Sequence, residues 1–372
     1  MHSVLKLAPA IAALMLSACG GGGSGSEAPA PVAPVTLIAG VATPVSYAPE
    51  DKEPGCVDGA ALGAKMAAKP SWAFARSANG DLLLVDSGFC DARYRIRVIN
   101  PVGNTIKTLA VGARRQNDSE ALTAFLTPTS IAVAPSGDIY ISDSDIFEMD
   151  SNWGTRYTPG RGPGIWKLGA DGNISVLAGV RLPMGTLDGV GAAASFKFIG
   201  AMCYGSDGLL YVTDGPYLRT VSTSGTVTTI LNPNVPQQRV VACGINGSVL
   251  VRRWFSDSVD DDFYDPIAQK SIAKVSALTS SGDLAFRSLL YFGPDNPSVL
   301  VAGYNPDYYD LIIVNLVDGS SETVAKFASA DRPVDLTATP PVIDSAIAGV
   351  ATGGMNFDVL TRQSVIRFTR KP

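Results

Sequence analysis

The chain has 372 residues, 46% of them hydrophobic and only 17% charged, with a net charge of -5. That balance suits a large β-rich core and excludes a disordered chain or a coiled coil. The only paired basic residues of note, Arg114-Arg115 and Arg252-Arg253, stand alone rather than in a stripe, so nucleic acid is not an expected partner.

At the amino end, Lys6, an apolar run from Leu7 to Leu16 and small residues precede Cys19. The run is too short for a bilayer span and reads as an export signal over residues 1–18. Leu16-Ser17-Ala18-Cys19 resembles the lipobox of bacterial lipoproteins. That resemblance implies cleavage before Cys19 and acylation of that cysteine, and Gly20 in place of an acidic residue implies the outer membrane. A secretory peptide cut elsewhere is the alternative. Loss of residues 1–18 removes Lys6 and no acid, so -5 becomes -6. Residues 19–34, with the run GGGGSGSEAPAPVAP, read as a tether that is flexible and then stiff. The folded part, residues 35–372, is expected to face the periplasm, touching the membrane through lipid alone.

Beyond the tether, one pattern recurs. Its first copy has Asp58-Gly59, Pro70, the strand SWAFA, the turn Asn79-Gly80, and the strands LLLVD, RIRVIN and IKTLAVG. The second has Phe125, Pro128, SIAVA, the turn Ser136-Gly137-Asp138, IYISD, IWKL, the turn Ala170-Asp171-Gly172 and ISVLAG. The clearest runs from Leu187 to Leu231, with apolar strands flanking Asp207-Gly208 and again Ser224-Gly225. A degenerate fourth copy follows as RVVACG, SVLVRRW, SIAKVSAL and DLAFRS, and a fifth as SLLYFG, SVLVAGY, LIIVNLV and ETVAKF. The last copy offers only AIAGVAT, NFDVL and SVIRF, while Val35–Gly40, VTLIAG, has the look of a fourth strand without a unit.

Four-strand units with turns at matching offsets predict an all-β fold, a β-propeller, because one small sheet buries its faces only by stacking on neighbours. The count is six blades, the last closed by the amino-terminal strand, which removes an open sheet edge. FKFIGAMCYGSDGLLYVTD and SGTVTTIL, preceded by LDGVGAAASF, resemble the NHL repeats of bacterial extracellular propellers. The resemblance covers about three of the six units well; it implies the fold and says little of function.

Of five cysteines, one is expected to carry lipid, leaving four to pair in a compartment that permits disulfides. In the propeller, Cys56 and Cys90 fall at one rim and Cys203 and Cys243 on the first strands of consecutive blades. The expected bridges are therefore Cys56–Cys90 and Cys203–Cys243, with buried free thiols as the alternative for the second pair.

The blade meander puts short turns on one rim, too tight to hold a site. On the other it puts long segments, 144–164, 255–270 and 304–310, in which aromatics interleave with acids. Trp153, Tyr157, Trp254, Tyr264, Tyr304 and Tyr308 are the expected contact residues for an envelope protein, a peptide or a glycan. The alternative is that the aromatics pin the loops and the acids are solvated. Asp260, Asp261 and Asp262, in DSVDDDFYD, are candidate calcium ligands without the spacing of an EF-hand; a solvated acidic loop explains the same run. Asp86, Asp143 and Asp214 recur at the ends of second strands, where in NHL-like repeats such a residue caps the following turn.

The only histidine is His2, inside the export signal, so a Ser-His-Asp triad and a His-ligated zinc centre are not expected. No catalytic residue and no cofactor is assigned. The expectation is a membrane-anchored propeller that binds a ligand or protein through its loop-rich rim. The alternative is a divalent-metal-dependent hydrolase or lactonase, which needs Glu, Asn and Asp converging on the axis.

Overall fold

The computed structural model describes residues 35–41, 56–68, 73–87, 91, 93–113, 124–144, 146–149, 155–157, 162–180, 184–231, 238–253, 262–274, 287–305, 308–328, 334–343, 346, 348–354 and 356–369. Residues 32–372 form one compact unit. No helix among the described residues is long and apolar enough to cross a membrane.

The chain lays down six blades in sequence, each an antiparallel meander of four strands. Blade 1 is Phe74–Arg76, Leu82–Asp86, Arg95–Asn100 and Thr105–Val111, with Gly59–Ala60 added outside the fourth strand. Blade 2 is Pro128–Val133, Ile139–Asp143, Gly164–Leu168 and Ile174–Gly179. Blade 3 repeats blade 1, with Ile199–Tyr204, Leu210–Asp214, Tyr217–Val221 and Thr226–Leu231 and the extra pair Gly189–Val190. Blade 4 is Gln238–Cys243, Val249–Arg253, Asp262–Asp265 and Lys270–Lys274. Blade 5 is Arg287–Tyr291, Ser298–Asn305, Tyr308–Asn315 and Ser321–Phe327, and its extra strand Val342–Ile343 is parallel. Blade 6 is Ala348–Gly353, Asn356–Leu360 and Ser364–Phe368, completed by Val35–Gly40.

That closure is the one read from the sequence: Val35 pairs with Phe368 and Gly40 with Ser364. The likeness between VTLIAG and ISVLAG has a backbone cause. Gly40 and Gly179 end their strands at φ +78° and +74°, where an L side chain is strained, and a Cβ at Gly179 would stand 2.6 Å from the Pro163 carbonyl oxygen.

Apolar residues at alternate strand positions face the neighbouring blade, so each interface buries its own cluster. Blades 2 and 3 meet through Tyr140, Ile165, Phe196, Met202 and Val212. Blades 6 and 1 meet through Ala39, Met66, Leu82, Leu360 and Val365, and blades 5 and 6 through Leu300, Ile313, Phe357 and Phe368. Burying one large side chain contributes about 1.5–3 kcal/mol, so these seams carry the ring. Between blades 3 and 4 the seam is also covalent, since Cys203 and Cys243 on adjacent inner strands form the expected disulfide, with Cα atoms 5.3 Å apart. Cys56 is also disulfide-bonded, and Cys90 lies outside the described residues.

Blade 4 corrects one reading. SIAKVSAL was expected as its third strand and DLAFRS as its fourth; instead Asp262–Asp265 is third and Lys270–Lys274 fourth. Arg287 and Ser288, the end of DLAFRS, already belong to the inner strand of blade 5. The acid-rich DFYD reads as loop by charge, yet Asp262 and Phe263 are buried, and the segment pairs on both sides, Arg252 with Phe263 and Phe263 with Ala273.

Candidate functional site: an axial cavity at the short-turn rim

On the long-loop rim Asp58, Asp86, Asp143, Asp188 and Asp214 are engaged, whereas Asp310 Oδ1 is buried without a hydrogen-bond partner among the described residues. Asp86, Asp143 and Asp214 do not cap the turn that follows them. Each reaches back to the segment leading into its own blade's first strand, where Asp143 accepts the Leu126 and Thr127 amides at 2.7 Å. Asp214 accepts those of Lys197 and Phe198 at 2.7 and 2.8 Å, and Asp86 that of Ala67 at 3.1 Å. The third strand then supplies a partner: Arg219 donates to Asp214 at 2.8 Å and the Trp166 indole N–H to Asp143 at 3.2 Å, while Arg97 forms an ion pair with Asp86 at 3.6 Å.

A second ring of acids locks the outer strands. Asp188 accepts the Thr229 amide and hydroxyl at 2.9 and 2.8 Å and pairs with Arg219 at 2.9 Å. Asp58 takes the Thr108 amide and hydroxyl at 2.9 Å each and lies 3.4 Å from Arg97. Partial burial would raise the Asp188 pKa, but the Thr229 and Arg219 hydrogen bonds outweigh it and hold it below its ordinary 3.8. Arg219, fully buried, also donates to the Ser195 and Leu187 carbonyls and stacks 4.8 Å over the Phe196 ring. These acids therefore fix the fold, through backbone amides, threonine hydroxyls, the Trp166 indole and the two buried arginines.

The turn rim differs. Its hairpins are as tight as expected, and by staying short they leave the end of the axis uncovered. A cavity of about 750 Å3 lies there, walled by the inner strands of all six blades and the turns that follow them. Its wall is rich in small residues, among them Ala75, Ala132, Ala201, Ala348 and Gly349. Arg76 is the only ionic side chain among the described residues of its wall. Cys243 of the disulfide also lines it, and the wall is stitched between blades by the Met202 amide, which donates to Ser130 Oγ at 3.1 Å.

A groove of about 580 Å3 joins the cavity between blades 4 and 5, sharing Ser206, Ile245 and Asn246 with it. Asp265 and Asp295 line the groove. Tyrosines gather along the same rim. Tyr204 lines the cavity and stacks on buried Tyr140 at 5.9 Å, and the Tyr211 hydroxyl donates to Asp207 at 2.8 Å. Tyr291 is fully buried, and its hydroxyl has no hydrogen-bond partner among the described residues. Burial, and then the fields of Asp265 and Asp295, push its pKa up to about 12, so it remains a neutral hydroxyl at physiological pH.

The expected contact residues distribute as follows. Trp153 and Trp254 lie outside the described residues. Tyr157 belongs to a small hairpin, Thr155–Tyr157 on Ile146–Met149, within a segment read as loop. Tyr304 is the last but one residue of the second strand of blade 5 and Tyr308 the first of its third, within a segment read as loop; Asn305 pairs with Tyr308. Tyr264 sits in the body of blade 4 between Val251 and Ser271. Of the candidate calcium ligands, Asp260 and Asp261 lie outside the described residues, and buried Asp262 accepts the Ser271 hydroxyl at 2.6 Å. No group of three or more His, Cys, Asp or Glu suited to a metal occurs among the described residues.

No family model matches the chain, and no curated protein matches it. Solved structures do. An auxiliary nutrient binding protein from Bacteroides ovatus aligns with a TM-score of 0.52 at 10% identity, over 91% of this chain and 76% of that one. A protein of unknown function from Bacteroides thetaiotaomicron gives 0.50 at 14%, over 90% and 75%. A gluconolactonase from Xanthomonas campestris gives 0.46 at 10%, over 91% and 97%. With the six sheets described above, the first two of these likenesses define the class: a six-bladed β-propeller. At such identities they speak to fold alone.

Proposed function

We propose that this chain is a lipid-anchored propeller of the bacterial envelope that binds a ligand in the axial cavity of its short-turn rim. One observation carries the choice of site: about 750 Å3 of space, within the range of small-molecule pockets, bounded by all six blades and lined by small residues. Anchoring rests on Leu16-Ser17-Ala18-Cys19 and the tether behind it, with the outer membrane as the expected location. Labelled-palmitate incorporation in cells, lost in Cys19→Ala, tests the anchor.

The aromatic residues of the other rim offer a competing site for a peptide, a glycan or an envelope protein. Two sets of variants separate the rims. Ala201→Trp, which fills the bore, is expected to abolish retention of small molecules released from natively purified protein on denaturation. The triple variant Trp153→Ala, Trp254→Ala, Tyr308→Ala is expected to keep it; the opposite pattern moves the site to the long-loop rim. The metal-dependent hydrolase fits this end of the axis poorly, because the cavity's wall holds no carboxylate among its lining residues.

A further inference from the structure

In blades 1 to 4 the last residue of the inner strand pairs with the first of the second strand, just before the tight turn. Arg76 pairs there with Leu82, Val133 with Ile139, Tyr204 with Leu210 and Cys243 with Val249. All four line the axial cavity, and only Arg76 brings a charge. Two of them present a polar tip in the same way. The Arg76 guanidinium lies over Gly80, where a Cβ would stand 3.2 Å from Nη2, and the Tyr204 hydroxyl lies over Gly208, where it would stand 3.8 Å away. The turn glycines leave each tip its room.

Neither tip has a hydrogen-bond or ion-pair partner among the described residues. Arg76 differs in this from Arg97, Arg219 and Arg367, which pair with Asp86, Asp214 and Asp358. The acid of its own turn is committed elsewhere: the two carboxylate oxygens of Asp81 accept the Asn79 and Asn100 side-chain amides at 2.9 Å each. No carboxylate stands among the described residues of the cavity's wall, and Asp265 and Asp295 line a groove at blades 4 and 5, across the ring from blade 1. Arg76 is exposed and so open to a ligand. A planar guanidinium without a counter-ion matches a carboxylate, whose two oxygens take its N–H fork. One guanidinium balances one negative charge, and a chain of net charge -5 disfavours a ligand with more. Phe74, Met202, Leu290 and Val350 give the bore an apolar wall suited to methylenes.

We propose that the ligand of this propeller is an amphipathic monocarboxylic acid whose apolar body occupies the axial bore and whose carboxylate is held by Arg76 at the turn rim. The proposal rests on the cavity reading above and deepens it. The test is calorimetric titration of the full-length protein at pH 7 with n-hexanoate and with 1-hexanol, a neutral analogue of matching length. Hexanoate is expected to bind about fivefold more tightly, the upper end for an exposed ion pair. In Arg76→Gln the preference should vanish while hexanol binding is unchanged; in Arg76→Glu hexanoate should bind more weakly than hexanol. Because Arg76 has no partner to lose among the described residues, both variants should melt with the native protein. Equal affinities in the native protein, or a preference that survives Arg76→Gln, overturn the carboxylate and leave the cavity reading standing. If neither probe binds, both fall.

Discussion

The two rims of this ring are both rich in carboxylates, and they hold them by different partners. On the long-loop rim Asp86, Asp143 and Asp214 hold the chain as it enters blades 1, 2 and 3, and Arg97 and Arg219 tie Asp86 and Asp214 to Asp58 and Asp188. On the turn rim Asp138 pairs with Lys167 and Asp207 accepts the Tyr211 hydroxyl, while Asp265 and Asp295 line a groove whose described lining holds no lysine or arginine, and the buried Tyr291 hydroxyl has no partner among the described residues. The difference teaches that acid density alone says little about a site. What distinguishes a functional charge from a structural one is whether its partners are already present in the fold.

The largest effect is expected where a structural clamp is broken. Arg219→Ala strands Asp214, fully buried, together with the Ser195 and Leu187 carbonyls. Breaking a buried pair from one side costs about 3–5 kcal/mol, to be read as a lower urea midpoint at unchanged slope. Asp265→Asn on the other rim should shift the same midpoint by less than about 0.5 kcal/mol. Similar losses would mean that the two rims are not divided between structure and binding.

Next comes the covalent seam. Replacing Cys203 and Cys243 together by Ala removes a cross-link between residues 40 apart in sequence. The expected loss is about 2–4 kcal/mol, with the blade 3–4 interface first to lose amide-exchange protection.

A smaller change of opposite sign is expected at Tyr291. Tyr291→Phe removes a buried hydroxyl that has no partner and should stabilise the unliganded protein by about 1 kcal/mol. Its pKa is raised in the fold, so the stability tied to its neutral form is complete below its ordinary value of 10.0 and lost as pH rises through about 12. Melting temperatures between pH 9 and pH 12 should therefore fall less steeply in Tyr291→Phe than in the native protein.

The smallest effect is at Asp188, whose pKa is lowered in the fold by the Thr229 and Arg219 hydrogen bonds that outweigh its partial burial. Its contribution is present above the ordinary value of 3.8 and lost as pH falls through the depressed one. Asp188→Asn should lower the melting temperature at pH 7 and lose less than the native protein on acidification to pH 3.

Much of the scaffold was legible before any coordinates. Strand runs and their turn residues set six blades, and VTLIAG announced the closing strand because Gly40 meets the same backbone demand as Gly179. Cys203 and Cys243 could be paired because they stand at matching places on consecutive inner strands. The third strand of blade 4 escaped because Asp260, Asp261, Asp262 and Asp265 give it the charge of a loop, whereas its pairing with Val249–Arg253 and Lys270–Lys274 is a tertiary fact. The clamps were visible only as recurring aspartates; their partners lie 16 to 19 residues back in the chain, at no motif-like spacing. The cavity had no signal of its own, since it is the space that Ala75, Ala132, Ala201 and Ala348 fail to fill, and alanine reads as core in any strand.

The central claim, that the bore at the turn rim takes the ligand, is tested most directly by methyl spectra of alanine-labelled protein titrated with n-hexanoate. The account predicts shifts for Ala75, Ala132, Ala201 and Ala348 in the cavity's wall and none for Ala178 and Ala325, buried in the blade seams. Shifts confined to alanines outside that wall, or no shifts at saturating probe, would contradict it.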